Sequence, residues 1–255
     1  IDVSEHPFTT GTQFDTRITT RFEKENLLEA VKIAMHEGGH ALYQQGLPQD
    51  EYATPLGVSR ELGVHESQSR LYENHVGGSR EFTEFLKPLL ESYYPREFED
   101  VDKESMYQSR NRVKTENLIR VNADELTYHL HIAVRFDTER KLVNGDIEVE
   151  ELPEIWNDKM EKYLGIRPET DAEGVLQDVH WAAGNFGYFP TYTLGSVLAA
   201  QVYAAAEDEI EDLEAQVKEG ELGELRDWLK NNIHSNGRRY KTSETIEEAT
   251  GEEPT

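Results

Sequence analysis

His36 and His40 lie four residues apart in "HEGGH", with Glu37 between them. Leu27, Leu28, Val31, Ala34, Met35, Ala41 and Leu42 recur at helical spacing from about Glu25 to Gln45. Gly46 closes that stretch and Pro48 follows. On a helix the two imidazoles project from one face, one turn apart, and can converge on a single cation. A divalent ion held this way polarises a bound water, and a neighbouring carboxylate such as Glu37 can take its proton near neutral pH. That is the chemistry of peptide hydrolysis. The same two histidines on a partly buried helix face, with no ion between them, are the plain alternative.

A catalytic zinc takes a third protein ligand and leaves a fourth position to water. Downstream, "GVHESQSRLYENHVGG" starts a second helical pattern near His65 and Glu66. Glu66 is the candidate third ligand, although a carboxylate in a first helical turn also complements the helix dipole. His65 is expected to point elsewhere if Glu66 faces the metal. Gly38 and Gly39 each weaken a helix by about 0.5–1 kcal/mol relative to alanine. They read as room for a neighbouring segment to pack close to the ligand helix, either for the metal site or as ordinary helix packing.

Further helices are expected at about Glu66 to Leu90, Lys103 to Val143 with a break in it, Leu152 to Leu164, Tyr192 to Lys218, Leu222 to Ile233 and Ser243 to Thr250. Residues 1–11 show no helical period. "FDTRITTRF" alternates Phe14, Thr16, Ile18, Thr20 and Phe22 against Asp15, Arg17, Thr19 and Arg21, the period of a strand. The expected fold is therefore mainly α, with a small β element.

The 255 residues include 51 acidic and 26 basic side chains, a formal charge of −25. Such a charge repels nucleic acid and anionic membrane surfaces at long range, so neither is an expected partner. Acidic residues spread along the chain read as a solvated, salt-adapted surface. The absence of cysteine, of a membrane-length apolar run and of a signal-peptide pattern makes the cytoplasm the expected location.

These residues and several more resemble the carboxypeptidase Taq family of zinc carboxypeptidases. Its motifs occur in order as "HPF" (His6 to Phe8), "DTRIT" (Asp15 to Thr19), "HEGGH", "HESQ" (His65 to Gln68), "IRVNAD" (Ile119 to Asp124) and "GVLQDVHW" (Gly174 to Trp181). The resemblance runs over nearly the whole chain. It implies a zincin-like helical region, a deep groove lined by a strand above the ligand helix, and a homodimer for the full-length protein. It makes His36, His40 and Glu66 the ligands of Zn²⁺, with Co²⁺ or Mn²⁺ as other candidates, and Glu37 the general base.

Family members run to about twice this length. Residues 1–255 then read as one catalytic region, the C-terminal part of a longer metallocarboxypeptidase whose N-terminal helical half and last helix are absent. The resemblance points to Arg120 as the receiver of a peptide's terminal carboxylate, with Asp124 orienting it from one helical turn away. His180 and Tyr188 would stabilise the oxyanion, and Tyr192 competes for the tyrosine role. Gln177 and Asp178 are candidates to support the zinc histidines, while Trp181 and Phe189 read as core. Asp15, Arg17 and Thr19 would hold a strand edge to which a peptide substrate adds, or the groove wall; an ordinary charged edge strand is the alternative. The leading function is release of C-terminal residues from peptides with broad specificity. The alternatives are an endo-acting zinc oligopeptidase and a catalytically inactive metal-binding fragment.

Overall fold

A computed structural model describes residues 1–23 and 26–255. The expected helix start at Glu25 lies outside the described residues. The fold is mainly helical, with three short strands β1 (Asp2–Val3), β2 (Thr9–Gly11) and β3 (Thr16–Thr20). β3 is the middle strand, parallel to β1 and antiparallel to β2, with Thr9 opposite Ile18 and Gly11 opposite Thr16. The alternation in "FDTRITTRF" therefore marks the centre of the sheet, and the edge beyond it belongs to β2. Strands of two and three residues are too short to show a period.

Helix α1 (Leu27–Gly46) carries "HEGGH" and is capped by the Asn26 side chain, which accepts from the Glu29 N–H. Its partner α2 (Leu62–Arg70) begins three residues before His65. The expected helix over residues 66–90 is divided into three parts. α2 passes into a π-helical turn, Leu71–Val76, where the Gly77 N–H bonds back five residues to the Tyr72 carbonyl at 2.8 Å. Gly77 and Gly78 then end the run, and Ser79 caps α3 (Arg80–Tyr93) by accepting from the Phe82 N–H at 3.0 Å.

The remaining helices are α4 (Pro95–Phe98), α5 (Lys103–Arg110), α6 (Glu125–Val143), α7 (Leu152–Leu164), α8 (Pro190–Glu209), α9 (Leu213–Glu219), α10 (Gly223–Asn232) and α11 (Thr242–Thr250). The expected break between Lys103 and Val143 spans Asn111 to Asp124. It holds a short 3₁₀ turn at Arg120–Asn122 and ends where Asp124 accepts from the Leu126 and Thr127 N–H groups. The expected helix over 192–218 is divided at Asp212, whose φ of 54° is left-handed.

The residues form two compact units, one of residues 1–110 with 194–255 and one of 111–193. The first has a core of residues such as Tyr43, Leu71, Val76, Ala199, Val202, Leu229 and Ile246. The second packs Trp156 with Val134 and Met160, and Phe189 with Tyr128 and Ile132. Phe189 is buried as expected, and the indole of Trp181 donates to Glu139 at 2.6 Å. No helix among the described residues is long and apolar enough to cross a membrane.

The two adjacent glycines differ. A Cβ on Gly38 would meet open space, whereas one on Gly39 would overlap the α2 backbone, 2.7 Å from Ser69 Cα and closer still to the Gln68 carbonyl. Gly39 is therefore the contact point of the two helices. Gly39→Leu is expected to destabilise the fold by at least about 1–3 kcal/mol, because backbone on both sides must yield. A thermal melt checks this, and Gly38→Ala, whose Cβ meets open space, is expected to raise the melting temperature slightly through the helix propensity it restores, about 0.5–1 kcal/mol.

Candidate metal centre

The contact at Gly39 brings α2 against the ligand face of α1. His36 and His40 stand with ring centroids 4.9 Å apart and nearly perpendicular planes. Across from them, Glu66 Oε2 lies 3.4 Å from His40 Nε2 and 4.0 Å from His36 Nε2. One donor atom from each residue falls within 4.8 Å of the others. Glu66 itself is packed against α8, where a Cβ on Gly195 would come within 2.7 Å of Glu66 Cβ. Glycine is required there because the ligand side chain occupies that space.

The far ring nitrogens are also held. His36 Nδ1 lies 2.7 Å from Glu73 Oε2, and His40 Nδ1 lies 3.0 Å from the His65 carbonyl oxygen. A proton on each Nδ1 meets these acceptors and leaves both Nε2 lone pairs directed toward Glu66. That is the tautomer a divalent cation needs. Two imidazoles and a carboxylate are moreover a donor set suited to a catalytic zinc ion, so the residues present fit the group. The His65 ring stays out of the donor set, as expected with Glu66 turned toward the histidines. It packs on His40, Nδ1 to Nδ1 at 2.6 Å, outside the three-donor cluster, and its basicity drops to about 4 through burial and the neighbouring His40.

Glu73 sits on the π-helical turn, seven residues beyond Glu66. It is buried, and besides His36 it accepts from Arg70 Nη1 at 2.8 Å and pairs with Lys32 Nζ at 3.3 Å. Burial alone would raise its carboxyl, but Arg70, Lys32 and His36 hold it well below the usual carboxylate range. Burial likewise opposes the charged form of His36, yet Glu66 and Glu73 outweigh it and raise that imidazole. Arg70 also reaches Ser196 Oγ on α8 at 3.1 Å. Glu37 is buried beside His36 on α1, with Oε2 accepting from the Thr9 hydroxyl at 2.6 Å.

Asp15 and Arg17 pair with each other at 2.9 Å on exposed surface. Thr19 is buried, and its Oγ1 accepts from the Phe8 N–H at 2.9 Å, fastening β3 to the segment before β2. Asp15 precedes β3, whose Thr16, Arg17 and Ile18 pair with β2 and whose Thr19 and Thr20 pair with β1.

Arg120, His180, Tyr188 and Tyr192 belong to the second unit. Arg120 is buried on the 3₁₀ turn. Its Nε and Nη2 donate to Asp178 Oδ1 at 3.0 and 2.8 Å, and its Nη1 donates to Tyr128 Oη at 3.0 Å. Three of its five N–H donors are thus engaged. Its orienting carboxylate is Asp178, not Asp124, which serves as the cap of α6. Asp178 Oδ2 also accepts from Arg135 Nε at 2.6 Å. Gln177 Oε1 takes the Arg120 N–H at 2.8 Å and Arg135 Nη2 at 2.7 Å. Gln177 and Asp178 therefore support the arginines, and the two histidines of the candidate metal centre are supported by Glu73 and the His65 carbonyl.

Burial works against the Arg120 charge, but the Tyr128 oxygen and Asp178 overcome it and raise its basicity, while burial brings Arg135 down to about 10. His180 Nε2 lies 2.9 Å from Tyr192 Oη, and the Tyr188 ring stands 5.2 Å from the His180 ring. Burial and Arg120 lower His180, which favours the neutral imidazole.

Helices carrying a two-histidine, one-carboxylate centre with a buried glutamate beside it define a helical scaffold of the metallopeptidase kind. The model of the carboxypeptidase Taq (M32) metallopeptidase family matches residues 1–255, and the chain belongs to that family. It is 41% identical over 255 residues to carboxypeptidase 1 of Bacillus subtilis, covering 99% of this chain and 50% of that protein. It is 44% identical to thermostable carboxypeptidase 1 of Pyrococcus furiosus, again covering 99% of this chain and 50% of the relative. The M32 carboxypeptidase structure from Deinococcus radiodurans matches all of this chain and 51% of its own, with 43% identity and a TM-score of 0.96. The chain spans about half the length of these relatives.

Sequence reasoning passed over Glu73 and Gly195. The one available signal for Glu73 was its two-turn spacing from Glu66, and the π-helical turn alters that register. Glu73→Gln is expected to weaken metal binding about 10–100-fold, the usual cost of losing the partner that orients a ligand histidine. Competition with a chromophoric chelator measures this.

Proposed function

We propose that this chain carries the catalytic centre of a zinc metallocarboxypeptidase that removes C-terminal residues from peptides with broad specificity. The observation that carries the reading is the convergence of one donor atom each from His36, His40 and Glu66 within 4.8 Å, with Glu37 adjacent on α1. Carboxypeptidase is also the name of the relatives that match. Zn²⁺ is the proposed ion, with Co²⁺ or Mn²⁺ as substitutes; when bound, it acts as a Lewis acid on water and on the scissile carbonyl.

The remaining steps belong to the side chains. His36, His40 and Glu66 hold the ion. Glu37 takes the proton of the attacking water and delivers it to the leaving amine. Arg120 receives the substrate carboxylate with the donors that Asp178 and Tyr128 leave unused, which is the requirement for recognising a chain end. His180 donates toward the oxyanion, and its hydrogen bond to Tyr192 favours Tyr192 over Tyr188 as its partner. A peptide backbone is proposed to add to the outer edge of β2, with Asp15, Arg17 and Thr19 supporting the sheet behind it.

The proposal extends to a longer, homodimeric polypeptide in the cytoplasm, of which these residues form the C-terminal catalytic region. It further includes a salt-adapted surface, supported by the charge of −25.

Two measurements test the activity. Glu37→Gln is expected to retain the metal and lose turnover by about 10²–10⁴-fold; full activity contradicts the mechanism. Arg120→Ala is expected to reduce kcat/KM for free-carboxylate peptides far more than for C-terminally amidated ones. Efficient cleavage of amidated peptides by the unmodified chain instead indicates an endo-acting oligopeptidase. Metal binding without any turnover indicates an inactive metal-binding fragment.

A further inference from the structure

Thr9 opens β2, the outer strand of the sheet, and its side chain turns toward α1. Its Oγ1 lies 2.6 Å from Glu37 Oε2 and 2.9 Å from the Glu37 carbonyl oxygen, so a single hydroxyl proton faces two oxygens of one residue. Glu37 is 6% exposed. Among the described residues no other hydrogen bond reaches its carboxylate. A glutamate has three rotatable side-chain bonds, and a general base works only when its free oxygen is held toward the proton it removes.

We infer that Thr9 is a positioning residue. Its hydroxyl pins Glu37 Oε2 and thereby directs Oε1 to the water, and it makes that direction depend on where β2 sits. The inference rests on the reading of Glu37 as the general base. It adds that the strand proposed to receive the peptide backbone also sets the base. Binding and proton transfer are then joined through one side chain, because a peptide that pairs with β2 fixes the strand from which Thr9 reaches Glu37.

The test compares Thr9→Val, which keeps the shape and removes the hydroxyl, with Thr9→Ser, which keeps the hydroxyl and removes a methyl. Thr9→Val is expected to lower kcat on the order of 10–100-fold with KM within about twofold, and Thr9→Ser is expected to restore most of the rate. Chelator competition is expected to give the same zinc affinity for both variants and the unmodified chain. Crystal structures of the zinc-loaded variants supply a readout independent of turnover. The Glu37 carboxylate is expected to be displaced in Thr9→Val and retained in Thr9→Ser.

An undisplaced Glu37 in Thr9→Val, or an unchanged kcat in that variant, overturns the assignment. If Glu37→Gln is inactive while Thr9→Val turns over normally, only the role of Thr9 falls. If Glu37→Gln is active, the general-base reading itself fails. In a chain without measurable turnover, the position of Glu37 in the two variants decides the matter.

Discussion

The metal cluster depends on how closely two helix backbones approach at Gly39. Packed helices ordinarily stand about 8–10 Å apart, at a distance set by the side chains between them. At Gly39 no side chain intervenes, and the Gln68–Ser69 backbone of α2 fills the space a Cβ would take. That approach lets Glu66, a short reach from its own helix, meet two imidazoles fixed on another. The helix propensity lost at one glycine is small beside the packing it permits. Gly195 repeats the device from α8, where the body of Glu66 takes the place of a side chain.

Close packing concentrates charge, and the second requirement is to hold it. Glu37, Glu66 and Glu73 are all buried, and a buried carboxylate without partners would take up a proton. Glu66 faces His36 and His40, while Glu73 is surrounded by His36, Arg70 and Lys32. For Glu66, burial is again opposed by the two histidines and Arg70, which keep its carboxyl below the ordinary value. The same groups that stabilise the anions orient the imidazoles. The second unit follows a similar rule, since Asp178 lies between two buried arginines, and Gln177 accepts from both through Oε1 while its Nε2 donates to the Leu118 and Glu173 carbonyls.

The local part of this arrangement was legible in the sequence. A four-residue spacing on a periodic segment is enough to put His36 and His40 on one face, and α7 falls on its expected bounds, Leu152 to Leu164. What depends on tertiary contact was not legible. Helical spacing offered Asp124 to Arg120 and left Asp178 to the histidines, and it named the wrong partner because the segment around Arg120 is not part of a long helix. Glu73 was hidden by a π-helical turn that no periodicity announces. The strand pattern of residues 14–22 identified a strand but not its place in the sheet, which is set by partners of two and three residues. Thr9 carried no signal, since a lone threonine in a β-rich stretch is ordinary until Glu37 is seen beside it.

The packing at Gly39 lets one cation be gripped from two helices. Anomalous X-ray scattering at the zinc edge, from crystals of the zinc-loaded chain, tests it most directly. A single peak is expected about 2.0–2.2 Å from His36 Nε2, His40 Nε2 and a Glu66 oxygen. Zinc bound through other residues, or held by the histidines with Glu66 turned away, would contradict it.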